Sequence, residues 1–251
     1  MITKTQIQEI KKLHQKKFRD ESKTFIVEGT KSVLELLRSN LKVKALWSTE
    51  NWAKTHKDNI LSCHFNTLSL KEMERISTLK TPQESLAIVE IPVFSVCDID
   101  NSAPLLILDA IRDPGNFGTI IRTADWFGIT QILASPDTVE LTNPKTIQAS
   151  MGAFARVKII YSDLAEYLTK RNDAPLFGTF MQGTPISQGN FSSNSMILIG
   201  NEANGISDTL LPFITEKISI PAHSHDTESL NASIATAIVL YEFRRNSETK
   251  C

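Results

Sequence analysis

The sequence is poor in the residues that staple or metallate a small protein. Its three cysteines, Cys63, Cys97 and Cys251, lie far apart without a C-x-x-C pair, which excludes a disulfide framework and a cysteine-built zinc site. Among only five histidines, His223 and His225 sit close to Asp226. No further His or Cys pair completes a ligand set, so that stretch reads as a polar surface loop and no metal is expected. No G-x-G-x-x-G follows an apolar run, which removes support for a dinucleotide site. Gly200 and Gly205 have the spacing of a phosphate loop, but Ile206-Ser207 follows where a lysine is needed. The G-x-S-x-G elbow of a serine hydrolase is missing too. The most apolar run, Ala232 to Phe243, is too short to span a bilayer and is interrupted by Ser233, Thr236 and Glu242. The N-terminus, MITKTQIQEIKKLHQKK, has no apolar core of a signal peptide. A reduced, cytoplasmic setting without a membrane role is the expectation.

What is present suits a globular protein of one large or two modest domains: 251 residues, 41% hydrophobic and 22% charged. The net charge of −1 conceals an asymmetry. Residues 1–95 carry 16 Lys+Arg against 11 Asp+Glu, or +5, and residues 96–251 carry 11 against 17, or −6. A basic front half suits a polyanionic partner.

The first ninety or so residues read as a small α/β unit. Ile7, Ile10 and Leu13 mark one stripe of a helix over residues 5–17. Strands are expected at Lys23–Val27, Val43–Trp47, Leu61–Phe65 and Leu86–Ile91, with helices from about Val33 to Asn40 and over residues 69–77. This alternation implies a mostly parallel sheet covered by helices. Pro92–Pro104, holding Asp98, Asp100, Asn101 and Ser102, is the linker candidate, dividing the chain into domains 1–95 and 105–251 around a linker at 96–104. The second domain opens on Leu105–Leu108, a buried-strand run. Asp113 and Pro114 then suit the N-cap and first position of a helix reaching about Phe127. Further strands are expected at Gln131–Ala134, Val157–Tyr161, Leu176–Phe180, Met196–Gly200 and Lys217–Ile220. The last helix, Leu230–Arg245, is apolar nearly all round, which predicts a core face and a subunit interface.

Three polar segments follow predicted strands: Asp113–Asp125, Ile199–Gly205, and Ile218–Ala222 with Glu228–Ser233. In open α/β sheets, ligands sit beyond the carboxyl ends of the strands, where such loops converge. In order and position these segments resemble the three motifs of the SpoU/TrmH family of RNA 2′-O-ribose methyltransferases. Phe25–Gly29 and Thr81–Ala87 resemble the RNA substrate-binding domain of that family, so the likeness covers nearly the whole chain. Two departures from the family pattern stand out: Asn201 and Asn204 in the second motif, and the longer loop Ala222–Thr227 before the third.

The resemblance implies an α/β architecture in which a C-terminal methyltransferase domain holds a parallel sheet and a deep trefoil knot. It also implies a small N-terminal α/β RNA-binding domain, S-adenosylmethionine as cofactor, and a homodimer. Carried over position by position, Arg122, Asn116, Glu202, Ser229 and Asn231 stand near the reacting groups. Leu198, Gly200, Gly205, Ile220, Ser229 and Leu230 stand at the cofactor. The implied reaction moves a methyl from a sulfonium to a ribose 2′-hydroxyl, with Arg122 clamping a phosphate and stabilising the developing alkoxide. A guanidinium stays protonated, so the phosphate or an ordered water takes the proton. The front domain favours ribosomal RNA over transfer RNA as substrate. A transfer-RNA methyltransferase and a non-catalytic RNA-binding protein are the alternatives. Singly, Arg122, Asn116, Ser229 and Asn231 also suit plain surface or capping roles; as an ordered set on three strand-end loops they point to a site.

Overall fold

The computed structural model describes residues 2–60, 65–77, 79, 81–171, 173–223 and 229–248. The chain forms two units, Met1–Pro92 with Leu141–Arg156, and Val93–Glu140 with Val157–Cys251.

The first unit begins with α1 (Lys4–Lys12), whose Thr3 and Gln6 cap each other reciprocally. The single helix expected over 5–17 is in fact two. The chain turns after Leu13 and restarts as α2 (Lys16–Ser22). The Leu13 carbonyl, which a continuous helix would spend on its own backbone, accepts at 2.9 Å from the buried Arg19 guanidinium. There follow β1 (Thr24–Glu28), α3 (Thr30–Leu37), β2 (Val43–Ser48), α4 (Glu50–Thr55), α5 (Lys57–Ile60), β3 (Phe65–Thr67), α6 (Leu70–Ile76) and β4 (Ser85–Glu90). Of the strand expected at Leu61–Phe65, residues 61–64 lie outside the described residues.

The sheet order is β1-β4-β2-β3. The expectation of a mostly parallel sheet is corrected here. β4 runs antiparallel to both β1 and β2, and β2 with β3 is the parallel pair. Helix–strand alternation says that helices cover the sheet; it does not say where the last strand enters. β4, buried at Ser85, Leu86, Ala87 and Val89, takes the central slot that an apolar strand needs.

The second unit holds β5 (Leu105–Leu108), α7 (Pro114–Trp126) and β6 (Gln131–Ala134). Next along the chain is α8 (Pro144–Ser150), followed by β7 (Lys158–Tyr161), α9 (Leu164–Lys170), β8 (Leu176–Pro185), β9 (Met196–Ile199), β10 (Glu216–Ser219) and α10 (Ala232–Glu248). Its six strands are all parallel, in the order β10-β8-β9-β5-β6-β7. β5, β6 and β9 are buried at every position, as four-residue strands covered on both faces must be. Leu105, Ile107, Leu133, Met196 and Leu198 share one core with Leu164, Tyr167 and Leu168 of α9. Chain order reverses between β5 and β9, so the crevice beyond their carboxyl ends is the switch point of the sheet.

Two features depart from the expected domain plan. The connection between β6 and β7 leaves the second unit, and its α8 packs with the first. There Phe154 meets Phe25 edge-on, ring centres 6.0 Å apart, and Arg156 pairs with Glu35. No change of composition marks this detour. The stretch expected as a loose linker is strapped to the second unit. The Gln131 side chain bonds both the amide and the carbonyl of Asp100, at 2.9 and 2.8 Å. The buried Arg171 guanidinium reaches the Asn101 carbonyl at 3.0 Å as well as the Asn101 side chain.

Candidate active site

The site is assembled from the loops at the switch point. Leu108 of β5 pairs in register with Ile199 of β9, so the turns after the two strands leave the sheet at one level. Ala110 in the first turn has a left-handed backbone, φ 55°, a conformation that costs a non-glycine residue of order 1 kcal/mol. Hydrogen bonds hold it on both sides. Its amide donates to Ser135 Oγ at 2.8 Å and its carbonyl accepts from Asn201 Nδ2 at 2.7 Å. The buried Asp109 carboxylate accepts from the Ser207 amide at 2.7 Å. Asp113 then caps α7 as expected, accepting from the Asn116 amide at 2.8 Å with Pro114 at the first helical position.

Asn116 connects all three motifs. Its Nδ2 donates to Glu202 Oε1 at 2.5 Å, and its Oδ1 accepts from Asn231 Nδ2 at 2.9 Å. Asn231 Oδ1 accepts in turn from the Ser233 amide at 2.9 Å and the Ser233 hydroxyl at 2.6 Å. Asn231, rather than Ser229, therefore caps α10, and Asn231 and Ser233 are structurally engaged rather than idle surface positions. Three of the five expected reacting-site residues, Asn116, Glu202 and Asn231, thus form one chain of hydrogen bonds. Ser229 is exposed two residues before it. Arg122 is exposed on α7, while Phe117, Ile120, Ile121 and Ala124 form the buried face of that helix.

The second motif is shaped by its glycines. A Cβ on Gly200 would strike the Gly205 carbonyl carbon and stand 2.5 Å from the Ile206 amide nitrogen. Asn201 and Gly205 close the loop by paired backbone bonds of 3.0 and 2.9 Å, with Gly205 at φ 69°. Asn201, one of the departures from the family pattern, also accepts from the Ala203 and Asn204 amides. Sequence reasoning does not assign it this role, although an Asn opening a tight loop is a recognisable signal. Ile220 is half-buried and Leu230 is 44% exposed, so both leave apolar surface at the loop rather than in the core. Leu198 does lie in the core, and its carbonyl accepts from the Thr179 hydroxyl at 3.1 Å. Of the loop 222–227, residues 224–227 lie outside the described residues. Among the described residues no cluster of His, Cys, Asp and Glu could hold a metal ion.

Residues 103–241 match the model of the SpoU rRNA methylase family, and residues 4–87 match the MRM3-like substrate binding domain. The chain belongs to the SpoU rRNA methylase family. The 23S rRNA (guanosine(2553)-2′-O)-methyltransferase RlmP of Bacillus subtilis is 30% identical over 95% of both chains. A putative RNA methyltransferase of the TrmH family from Porphyromonas gingivalis superposes with a TM-score of 0.89 at 33% identity, covering 98% of this chain and 100% of that one. An AdoMet-bound rRNA methyltransferase from Sinorhizobium meliloti superposes at 0.87 with 28% identity, covering 98% and 97%.

The SpoU resemblance implies a cofactor among these loops, and the residues present fit one. Gly200 leaves no side chain between the β9 end and its loop. Ile220 and Leu230 leave apolar surface uncovered, and the polar chain through Asn116 starts one residue beyond Leu230. That is the mixture an adenosine moiety and a charged amino-acid tail require.

Proposed function

We propose that this protein methylates ribose 2′-hydroxyls of ribosomal RNA, using S-adenosylmethionine. The observation that carries the reading is the hydrogen-bonded chain Glu202–Asn116–Asn231, which ties three strand-end loops together at the start of the helix that bears the exposed Arg122. S-adenosylmethionine, when bound, supplies an electrophilic methyl group. Gly200, Gly205, Ile220, Ser229 and Leu230 would line it, with Leu198 supporting the strand beneath.

Each residue of the chain has a task in that reaction. Asn116, fixed from both sides, holds the loops at one separation, so the ribose meets a preorganised site rather than one that must assemble. Glu202 accepts from Asn116 and keeps the second motif against the first. Asn231 anchors the start of α10, so Ser229 and Leu230 are presented from a fixed point. Arg122 offers a two-pronged cation to the phosphate beside the target ribose and stabilises the alkoxide as the hydroxyl proton departs to that phosphate or to water.

Ribosomal rather than transfer RNA is supported by full-length similarity to RlmP and by the match of residues 4–87 to a substrate-binding domain. A homodimer belongs to the same proposal: Ile234 and Tyr241 on α10 and Trp126 on α7 are 52%, 55% and 82% exposed, an apolar surface that a second copy would cover. So do the trefoil knot and a cytoplasmic setting. Among the described residues no helix is long and apolar enough to cross a membrane. Mapping ribose methylation in total RNA from cells with and without the protein tests the reading. A single ribosomal nucleotide losing its methyl group supports it, and an unchanged map overturns it.

A further inference from the structure

Helices α7 and α10 pack against each other, and bonds near both ends match start to start and end to end. The pairing Asn116–Asn231 joins their first turns. At the other end, the Arg244 side chain of α10 reaches the two carbonyls just past the end of α7. Its Nη2 donates to the Gly128 carbonyl at 2.8 Å, and its Nε donates to the Phe127 carbonyl. These carbonyls lie beyond the last turn of α7, where backbone acceptors lack partners within the helix and a cation suits the negative end of its dipole. The guanidinium is itself braced from beneath. Its carbon stands 5.4 Å from the centre of the Phe243 ring, a residue fully buried against Phe191.

Gly128 completes the fit in two ways. Its backbone is left-handed, φ 67°, and a Cβ there would stand 2.9 Å from Arg244 Nη2. A side chain at this position would therefore push the guanidinium away even if the backbone held.

We infer that Arg244 and Gly128 form a latch that positions Arg122 for methyl transfer. Arg122 is six residues from Asn116 and six from Gly128, midway between two hydrogen-bonded contacts that α7 and its C-terminal turn make with α10. The apolar face of α7 fixes its depth against the core, but apolar contacts are non-directional and resist sliding and tilting less than hydrogen bonds at the two ends. Releasing one end lets α7 pivot about Asn116, which moves Arg122 while leaving the loops at Gly200, Ile220 and Leu230 in place. Misplacement on the scale of about 1 Å is enough to lower a rate by one to two orders of magnitude. Arg244 is thus a positioning residue, acting through Arg122. The inference rests on the methyltransferase reading above.

The experiment uses the full chain with ribosomal RNA purified from cells lacking the protein and compares wild type, Arg244→Ala, Arg244→Lys, Gly128→Ala and the double variant Arg244→Ala/Gly128→Ala. Methyl transfer at saturating RNA and S-adenosylmethionine, KM for RNA, cofactor affinity by calorimetry, thermal midpoint and oligomeric mass are measured for each. We expect Arg244→Ala to lower kcat by about tenfold, with cofactor affinity and KM for RNA within about twofold of wild type. Arg244→Lys recovers part of the loss, because a single ammonium nitrogen keeps the charge but cannot reproduce the planar fork whose Nε and Nη2 meet the two carbonyls separately. Gly128→Ala lowers kcat similarly, and the double variant is no slower than Arg244→Ala alone, since both changes break the same latch. An unchanged kcat in folded Arg244→Ala overturns the latch. So does a defect confined to KM with a flattened salt dependence, which would make Arg244 an RNA-binding residue. Additive effects in the double variant, or a defect explained by dimer dissociation, overturn it as well. An inactive wild type would instead strike at the methyltransferase reading itself.

Discussion

Asn116 and Glu202, 86 residues apart in the chain, share a 2.5 Å hydrogen bond in which the carboxamide donates and the carboxylate accepts. Their separation makes the bond a statement about the fold: the first turn of α7 and the loop after β9 hold each other. Asn116→Asp replaces that donor with a second carboxylate facing Glu202, and like charges at such a distance repel. Methyl transfer should fall more than about a hundredfold in Asn116→Asp and less in Asn116→Ala, with a lower thermal midpoint in the Asp variant. Equal activity of the two variants, measured by single-turnover kinetics, would remove the repulsion argument.

Arg122→Ala should lower turnover by orders of magnitude without unfolding the protein. The side chain is exposed and points away from the buried face of α7, so its loss costs little stability. Removing a preorganised charge that acts on the developing alkoxide costs about 10²–10³ in rate, and Arg122→Lys should recover little of it. Turnover close to normal would disprove the assignment; a shifted thermal midpoint would make Arg122 structural.

Gly200→Ala tests the cofactor loop. With no room for a Cβ against Gly205 and Ile206, the loop must move, and S-adenosylmethionine affinity should drop by roughly tenfold or more. Calorimetry gives the answer directly. Unchanged affinity would place the cofactor elsewhere.

Asn201→Ala should destabilise the protein by about 1–2 kcal/mol, since it removes the donor to the Ala110 carbonyl and the acceptor for the Ala203 and Asn204 amides. Denaturant unfolding measures it. A change below a few tenths of a kcal/mol would mean that Ala110 keeps its left-handed backbone without this bond.

Exposed lysines of the first unit should govern RNA affinity. Replacing Lys11, Lys12 and Lys16 by Gln should weaken binding and lower the slope of log affinity against log salt by about 0.7 for each RNA phosphate that is no longer neutralised. Cofactor affinity should not change. An unaltered salt slope would exclude this surface of α1 and α2 as the RNA-binding face.

Much of the second unit is legible in its residues, because a parallel strand covered on both faces leaves a short, continuous apolar run. Leu105–Leu108 and Gln131–Ala134 occupy the expected spans. Asp113-Pro114 marks the start of α7 because a cap and a fixed φ are local chemistry. Direction and partnership are not legible in the same way. Nothing within β4 distinguishes antiparallel from parallel pairing, and nothing around Asn116 names Glu202 and Asn231 as its partners. α8 escapes detection because its buried positions include Thr146 and Ser150, which break the apolar periodicity a surface helix shows. Arg244 reads as no more than the tail of an apolar helix, since its partners are backbone carbonyls that leave no mark on residue type.

The excursion of Leu141–Arg156 into the first unit orders events during synthesis. The first unit emerges first, but Phe25 waits for Phe154 and Glu35 for Arg156. At about 5–20 residues per second, the wait lasts several seconds or more. Through that interval the ribosome has already delivered β5, α7 and β6, so the nascent chain carries a half-covered first sheet together with a half-built second one. A shortened version lacking residues 1–92 would inherit the mirror problem, with Ile147 and Phe154 left without the surface that buries them. The two units are therefore interleaved in biogenesis.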